Sequence, residues 1–343
     1  MKLARSCSVL LFALVAATAL LPVGAQAQTK LKMVLNWKFE GPQAWFFLAQ
    51  EKGYFKAEGL DVTIDQGEGS AASIPKVASG TYDVGFGDMS ALIDMAAKYP
   101  DSAPVAAYMM YNVTPFVIAV KKDSPIKTMK DLAGKTIGGP VNDGALKLFP
   151  DAAKAAGIDA SKVSITNMAP NLREQMLTRG QVDGVFGYML TVAFSAKAIG
   201  MNPDKDLRFI PYSDYGVDSY SNTVFFSRKL VKENPKVVEG FVRALNRAVK
   251  EVVANPDAGL EYVMKREPLL NREIERERLI ATFSTQMSNP EIGKIGFGDV
   301  DDVRMKRNID LVVDGDASAR KPAVSDVFDR RFLPPRADRL SKM

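Results

Sequence analysis

A ten-residue pattern occurs twice in the chain, and the two copies lie 100 residues apart. The copies are Gly80-Thr-Tyr-Asp83-Val-Gly-Phe86-Gly87-Asp88-Met89 and Gly180-Gln-Val-Asp183-Gly-Val-Phe186-Gly187-Tyr188-Met189. In each copy a glycine, which takes the left-handed conformation at little cost, ends a helix, and a buried strand follows. The alternative is coincidence in a chain with many helix-glycine-strand junctions. The repeat predicts two similar α/β lobes, with Asp88 and Tyr188 at equivalent strand ends.

Short apolar and β-branched runs alternate with helical stretches along the chain. The first series has strands at 31–35, 62–65, 82–86 and 105–108, with helices at 43–52, 73–78 and 91–98. The second has strands at 117–120, 136–138, 163–167 and 182–186, with helices at 145–156 and 172–178. A strand at 223–227 follows, and the remainder is mainly helical, including 235–254. This alternation predicts βαβ units and, in each lobe, a mostly parallel sheet flanked by helices.

The chain has no histidine and a single cysteine, Cys7. A mature chain without these residues has no Cys or His nucleophile, no imidazole base and neither of the usual zinc ligands. Most hydrolase and redox mechanisms are therefore disfavoured, and we expect no catalytic residue, no cofactor and no metal. Apolar residues make up 47% of the chain and charged residues 25%, which excludes a disordered or polytopic membrane protein.

Residues 1–27 have the features of a secretory signal peptide. Lys2 and Arg5 precede an apolar run at 9–21, and Ala25 and Ala27 form a small-x-small cleavage site. The run is short for a membrane span, although an uncleaved anchor is the alternative. Cleavage removes Cys7, so we expect a mature protein without disulfides. The export signal indicates a bacterial periplasm, and we expect the protein to be a monomer. The net charge of +5 comes without a dense Lys/Arg block, which argues against a nucleic-acid partner.

Lobes of this kind bind ligands in the crevice at the carboxyl ends of their strands. The predicted strands therefore select the loops to inspect for a ligand site. The candidate binding residues in these loops are Asn36, Trp37, Glu40, Ser70, Asp88, Met89, Asn142, Asp143, Asn171 and Tyr188.

Two aromatic residues and one carboxylate favour a planar, nitrogen-bearing ligand. Trp37 can stack on a flat ring, and Tyr188 can cover the ring from the opposite lobe. Asp88 can accept hydrogen bonds from amino groups. The alternative is that Asp88 caps the helix predicted to start near Ser90, since Asp is a common N-cap residue. Trp37 is equally compatible with a core position. Glu40 is a weaker acidic candidate, for which a solvated turn is the favoured interpretation.

Other residues keep an anionic ligand open. Ser70, Asn142 and Asp143 lie at predicted helix starts, where free backbone N–H groups favour anions, although ordinary capping also explains them. A purely anionic ligand calls for an arginine clamp. Arg173 is the nearest arginine and is interpreted as a helix-surface charge. The charged run at 272–278 is interpreted as a solvated helix face.

Several stretches resemble one family. They are Leu35-Asn36-Trp37, the run from Ala49 to Val62, the run from Lys130 to Gly138, and Tyr215-Gly216-Val217-Asp218-Ser219-Tyr220. Together they resemble periplasmic solute-binding proteins of the NMT1/THI5-like group, which serve thiamine-precursor, sulfonate and nitrate transporters. The likeness is greatest to the branch that binds aminopyrimidine thiamine precursors. It implies a two-lobe periplasmic binding protein of type II that closes on a small molecule and delivers it to an ABC transporter permease and ATPase complex.

The resemblance also implies two hinge crossings, which we place near 111–116 and 211–222. Lobe 1 is then 28–113 plus 222–330, lobe 2 is 114–221, and 331–343 is a C-terminal tail. Tyr111 at the first crossing and Asp218 at the second are further candidate ligand residues. Closure by hinge motion requires a ligand that contacts both lobes.

Three alternatives stay open at this point. The ligand can be a small anion such as an alkanesulfonate, nitrate or an aromatic carboxylate. The protein can serve a chemoreceptor instead of an importer. The third alternative is an enzyme, since the resemblance extends to eukaryotic pyrimidine synthases. These consume their own histidine and use pyridoxal phosphate and a cysteine-rich loop, whereas this chain has no histidine and one early cysteine.

Overall fold

The computed structural model describes residues 28–314 and 320–340. The predicted signal peptide, 1–27, and the last residues of the predicted tail, 341–343, lie outside the described residues. Within the described ranges, no helix combines the length and the apolar character needed to cross a membrane.

Ten strands of the described residues form two five-stranded sheets. The strands are β1 Thr29–Val34, β2 Leu60–Asp65, β3 Val84–Asp88, β4 Val105–Met109, β5 Phe116–Lys121, β6 Thr136–Gly139, β7 Ser164–Asn167, β8 Gly184–Tyr188, β9 Leu207–Pro211 and β10 Asn222–Phe226. The first sheet has the order β2-β1-β3-β10-β4, and the second has the order β7-β6-β8-β5-β9.

Both sheets are mostly parallel with one reversed strand. In the first sheet, β10 runs antiparallel to β3 and β4. In the second, β5 runs antiparallel to β8 and β9. The predicted α/β class with two lobes is confirmed. β9 was not predicted from the sequence, because its residues do not alternate between apolar and polar. Its two buried positions, Leu207 and Ile210, are three residues apart instead of two.

The two copies of the repeat form the central strands β3 and β8. Gly80 and Gly180 both adopt left-handed conformations, with φ of +78° and +69°. The aspartates that follow have the same function. Asp83 accepts a 2.8 Å hydrogen bond from the backbone N–H of Lys32 in β1, and Asp183 accepts one of the same length from Thr136 in β6. Each aspartate therefore fixes the central strand against its parallel neighbour.

Helices cover the sheets on both faces. They are α1 Ala44–Glu51, α2 Tyr54–Ala57, α3 Ser73–Ala78, α4 Met89–Lys98, α5 Gly144–Lys147, α6 Phe149–Ala155, α7 Arg173–Thr178, α8 Met189–Ala198, α9 Pro203–Asp206, α10 Arg228–Glu233, α11 Pro235–Ala254, α12 Pro256–Arg266, α13 Arg272–Gln286, α14 Pro290–Ile295, α15 Asp302–Val313, α16 Val324–Val327 and α17 Arg336–Arg339. Short 3₁₀ helices are present at Gly41–Gln43, Met129–Leu132, Ala160–Lys162, Pro170–Leu172, Tyr212–Tyr215 and Arg330–Phe332.

The predicted helices agree with the observed ones at most positions. α3 and α11 have the predicted bounds. The predicted helix at 145–156 is interrupted at Leu148 and gives α5 and α6. Pro150 lies in the first turn of α6, where backbone N–H groups have no partner within the helix, so the missing N–H costs nothing. In one continuous helix over 145–156 the same proline would remove a backbone hydrogen bond.

Two segments connect the sheets, one between β4 and β5 and the other between β9 and β10. The C-terminal segment 320–340 packs on the first sheet's side. The guanidinium of Arg339, only 5% exposed, donates to the backbone oxygens of Ile295 and Phe297 at 2.8 Å. The ends of strands β1 and β8, one from each sheet, meet in a cleft that residues of α13 also line.

Candidate functional site

The carboxyl ends of the strands enclose two small cavities beside Trp37. One is lined by Asn36, Trp37, Ser70, Asp143, Arg173, Tyr188 and Thr191. The other is lined by Asn36, Trp37, Glu40, Pro42, Gln43, Tyr111, Tyr188, Leu190, Thr191, Arg278, Thr282 and Gln286. Each has a volume of about 20 Å³, which is room for roughly one water. A ring-sized ligand requires the lobes to move apart before it enters.

Trp37 lies directly after β1 and separates the two cavities. Its side chain is 8% exposed, and its indole Nε1 has no hydrogen-bond partner among the described residues. The guanidinium carbon of Arg173, from the other lobe, lies 5.6 Å from the ring centroid, within range of a cation–π contact. Asn36 accepts a hydrogen bond from Gln43 Nε2 at 3.1 Å, which holds the turn after β1.

Tyr188 reaches from the second sheet to the first. Its hydroxyl donates to Asn222 Oδ1 at 2.7 Å and accepts from Ser221 Oγ at 2.9 Å. Burial raises the pKa of Tyr188 well above its ordinary value, so the hydroxyl stays protonated and can donate. Nearby, Asn222 Nδ2 and Ser70 Oγ are buried without partners among the described residues. The site therefore offers hydrogen-bonding groups that a ligand can satisfy.

Asp88 lies behind Tyr188 and not on the wall of either small cavity. It accepts a hydrogen bond from Ala91 N–H at 3.1 Å and caps α4, and Ser221 Oγ lies 3.4 Å from its Oδ2. Its carboxyl is 2% exposed, and burial raises its pKa to about 7. Asp88 also lines a groove of about 500 Å³ between α4 and α5–α6. The capping role is thus observed.

Arg173 is buried in the cleft, so its interpretation as a helix-surface charge was wrong. Its side chain is 1% exposed, because Arg173 is the first residue of α7 and its guanidinium points into the cleft toward Trp37. The guanidinium lies 3.5 Å from Asp143 Oδ2 and 2.7 Å from Glu174 Oε1. Asp143 in turn caps α5 by accepting from Ala145 N–H at 2.8 Å. We call Asp143, Arg173 and Glu174 the first triad.

Glu40 is also buried, and the expectation of a solvated turn glutamate was wrong. It is 8% exposed and forms an ion pair with Arg278 Nη1. Arg278 Nη2 lies 3.3 Å from Glu275 Oε1, and Glu275 Oε2 accepts from the N–H of Gly41 at 2.7 Å. The helix face at 272–278 is therefore not fully solvated, because α13 packs these two residues against the turn after β1. We call Glu40, Arg278 and Glu275 the second triad.

The lobes touch along a backbone seam next to the cavities. The N–H of Ala71 donates to the C=O of Asn142 at 3.2 Å. A Cβ on Gly69 would lie 2.4 Å from that same oxygen, and a Cβ on Gly144 would lie 2.6 Å from Ser70 Oγ. Glycine at these positions permits the lobes to approach to van der Waals distance.

Five predicted site residues do not line the small cavities. Asp88 and Asn142 line the groove between α4 and α5–α6 instead, and the other three lie farther away. Met89 is fully buried in an apolar cluster behind β3. Asn171 is exposed in the short 3₁₀ helix just before α7. The side chain of Asp218 is 60% exposed and pairs with Arg304 at 2.7 Å. By contrast, Tyr111 is 2% exposed and lines the cavity next to Glu40.

Sequence reasoning missed several residues at the cavities. They are Gln43, Leu190, Thr191, Arg278, Thr282 and Gln286, together with the hydrogen-bonding residues Ser221 and Asn222. The residues on α13 are about 240 positions from Trp37, and no local pattern indicates that α13 reaches the cleft. Ser221 and Asn222 precede a predicted strand, so a search of residues at strand starts would have found them.

Comparisons with known proteins agree with this geometry. Residues 43–259 match the family model described as NMT1/THI5 like. The chain is 26% identical over 272 residues to a 4-amino-5-hydroxymethyl-2-methylpyrimidine phosphate synthase from Aspergillus parasiticus, covering 76% of this chain and 78% of the relative. It is 27% identical over 275 residues to a formylaminopyrimidine-binding protein from Halalkalibacterium halodurans, covering 77% and 80%.

Solved structures show the same fold. An alkanesulfonate-binding protein from Xanthomonas axonopodis pv. citri superimposes with a TM-score of 0.66 at 15% identity, covering 88% of this chain and 99% of the other. A Candida albicans protein described as having the generic periplasmic binding protein fold gives 0.64 at 19% identity, covering 90% and 98%. The predicted two-lobe binding-protein fold is therefore confirmed.

Proposed function

The chain belongs to the NMT1/THI5-like family, and we propose that it is a periplasmic binding protein that captures a small planar nitrogen heterocycle for an ABC importer. In this proposal residues 1–27 direct export and are removed. The lobes are 28–113 plus 222–330 and 114–221, and they hinge at the two segments that connect the sheets. The formylaminopyrimidine-binding relative supports an aminopyrimidine as the ligand.

The carrying observation is that Trp37 and Tyr188 come from different lobes and line the same two cavities. An indole and a phenol so placed provide faces for a flat ring. The buried, unpartnered Trp37 Nε1 and Ser70 Oγ, whose residues line a cavity, supply donors for ring nitrogens. A ligand that meets these groups contacts both lobes and shifts the population toward the closed form.

A small anion is the second candidate, and the buried Arg173 is the observation that favours it. Against it, the guanidinium already has two carboxylate partners, Asp143 and Glu174. An anion beside them must compete with two negative charges at a site with little access to water. An aminopyrimidine, which carries both donors and acceptors, fits these groups better.

A pyrimidine synthase is the third candidate, because several relatives, the Aspergillus parasiticus protein among them, have that name. The reaction that the family resemblance implies for such enzymes consumes a histidine of the protein, and this chain has none. We therefore propose a binding role without catalysis.

A thermal-shift screen tests the proposal. Purified protein is heated with 4-aminopyrimidine and its 2-methyl and 5-hydroxymethyl derivatives, with ethanesulfonate and nitrate, and with benzoate. A specific ligand at 100 times its Kd stabilises the folded state by about 2.7 kcal/mol, so the melting temperature should rise with the pyrimidines. Stabilisation by the sulfonate or benzoate alone would contradict the proposal, and Trp37→Ala should abolish the shift while leaving the protein folded.

A further inference from the structure

Each triad contributes to one of the two cavities beside Trp37, and the two triads come from different lobes. Asp143, Arg173 and Glu174 belong to the second lobe, and Glu40, Arg278 and Glu275 to the first. All six residues are buried, with exposures between 1% and 8%. Asp143, Arg173, Glu40 and Arg278 line the cavities directly.

Each triad has two carboxylates and one guanidinium. One guanidinium can neutralise one carboxylate, which leaves a second buried carboxylate without a full counter-charge in each lobe. Burial raises the pKa of Asp143 and of Glu275, and the neighbouring arginines lower it only in part.

The triads also affect each other across the cleft. Burial by itself lowers the pKa of Arg173, but nearby carboxylates, with Glu40 of the opposite triad among them, raise it above the ordinary value. Two regions that each have an excess of negative charge repel one another when the lobes close. A positive charge placed between them reduces that repulsion.

The arrangement does not suit a metal ion. Among residues 28–314 and 320–340, no group of three or more acidic side chains converges in a way that could hold one. The carboxylates instead pair, two by two, with the guanidinium groups of Arg173 and Arg278. A flat organic cation, with its charge spread over several atoms, can contact dispersed carboxylates and also stack on an indole face.

We infer that the cleft selects its ring ligand in a positively charged form, and that this charge holds the two lobes closed. The inference rests on the proposed function, because it specifies the charge of the heterocycle. An amidinium-like N–H pair, as in an aminopyrimidine protonated on the ring, can bind a carboxylate in a bidentate manner, as arginine does. The ligand then supplies one positive charge, which is shared between the two triads.

Three probes of nearly identical shape test the inference. They are pyrimidine-2-carboxamidine, which is cationic, pyrimidine-2-carboxamide, which is neutral, and pyrimidine-2-carboxylate, which is anionic. Isothermal titration of the full chain should give an amidine affinity at least tenfold higher than that of the amide, and the carboxylate should bind most weakly. The measurement needs no variant, so a folding defect cannot obscure it.

Substitutions in the two triads test whether these residues cause the preference for a cationic ligand. Glu174→Gln and Glu275→Gln each remove the second carboxylate of one triad, and the double variant should reduce the amidine-to-amide affinity ratio to about one. Glu277→Gln is the matched control, because Glu277 is on the same helix as Glu275 but its side chain is 45% exposed and pairs with Lys197. It should preserve the ratio. Thermal melts of each variant confirm that it is folded.

The outcomes separate this inference from the proposed function. If the amide and 4-aminopyrimidine bind and the amidine binds no better, the inference is wrong and the heterocycle receptor stands. If the double variant keeps the wild-type ratio, the triads are not the source of the preference and the inference also fails. If no pyrimidine binds, or the carboxylate binds best, the proposed function itself is wrong.

Discussion

The hydroxyl of Tyr188 and the side-chain amide of Asn222 form a 2.7 Å hydrogen bond between the two lobes. Tyr188 ends β8 in the second sheet, and Asn222 begins β10 in the first. Ser221 extends the contact, because its hydroxyl lies 2.9 Å from that of Tyr188 and 3.4 Å from the carboxylate of Asp88. Because the Tyr188–Asn222 bond joins the two sheets, we expect it to break when the lobes separate and so to stabilise the closed form.

We expect Tyr188→Phe to weaken ligand binding about fivefold. The substitution removes one buried hydrogen bond of the closed form, which is worth about 1 kcal/mol. Titration with 4-aminopyrimidine measures the change. Tyr82→Phe is the control, since the Tyr82 hydroxyl bonds Asp65 on the surface of one lobe and should leave the affinity unchanged. Equal losses in both variants would show that the interlobe bond has no special effect.

Gly69→Ala should hold the lobes apart. The added Cβ would lie 2.4 Å from the backbone oxygen of Asn142 on the other lobe, and backbone atoms cannot rotate away. We expect a larger radius of gyration by small-angle X-ray scattering and at least tenfold weaker binding.

Gly80→Ala separates this effect from backbone strain. Gly80 also has a positive φ, +78°, but no atom lies within 4 Å of the position that a Cβ would take. Its substitution should cost about 1 kcal/mol of stability without changing the radius of gyration. A Gly69→Ala protein as compact as wild type would contradict the inference that close contact between Gly69 and Asn142 is needed for the lobes to close.

Arg173→Leu should destabilise the folded state by about 3 kcal/mol. Removal of the guanidinium leaves Asp143 and Glu174 buried without their cation, and breaking a buried ion pair in this way is costly. Denaturant unfolding measures the loss. Arg179→Ala, an exposed arginine directly after the same helix, should change the stability by less than about 0.5 kcal/mol. Similar losses for both would place Arg173 at the surface.

Because of Asp88, we expect the folded protein to be more stable in mild acid than at neutral pH. Its pKa is about 7 in the folded state, raised by burial from the ordinary 3.8. Between these values the folded state retains a proton that the unfolded chain releases, so the free energy of unfolding falls as pH rises toward 7 and levels off above it.

Asp88→Asn should remove this slope, which amounts to a contribution on the order of 4 kcal/mol across the whole range. The amide oxygen can still accept from Ala91 N–H and cap α4. Urea unfolding of both proteins at several pH values between about 4 and 8 gives the comparison. A smaller slope of the same sign should persist from other buried carboxyls, such as Asp143. An unchanged profile would indicate that Asp88 is ionised throughout.

The sequence by itself determined the architecture, because local patterns encode it. Helix periodicity over 235–254 and the glycine-strand repeat at Gly80 and Gly180 depend only on neighbours along the chain. The aspartates that follow each glycine also lie next to the strands they fix. Since strand ends of an α/β sheet meet at one edge, Trp37 and Tyr188 could be assigned to the cleft from the order of strands alone.

The electrostatics of the cleft were decided only by the tertiary structure. Glu40 and Arg173 have the sequence context of surface charges, yet both are buried. α13 packs Arg278 against Glu40, and Arg173 on α7 pairs with Asp143 and Glu174 in the cleft. Arg278 lies 238 residues from its partner Glu40. Whether a charged side chain is solvated or paired depends on which distant elements cover it, and the chain's local pattern does not contain that information.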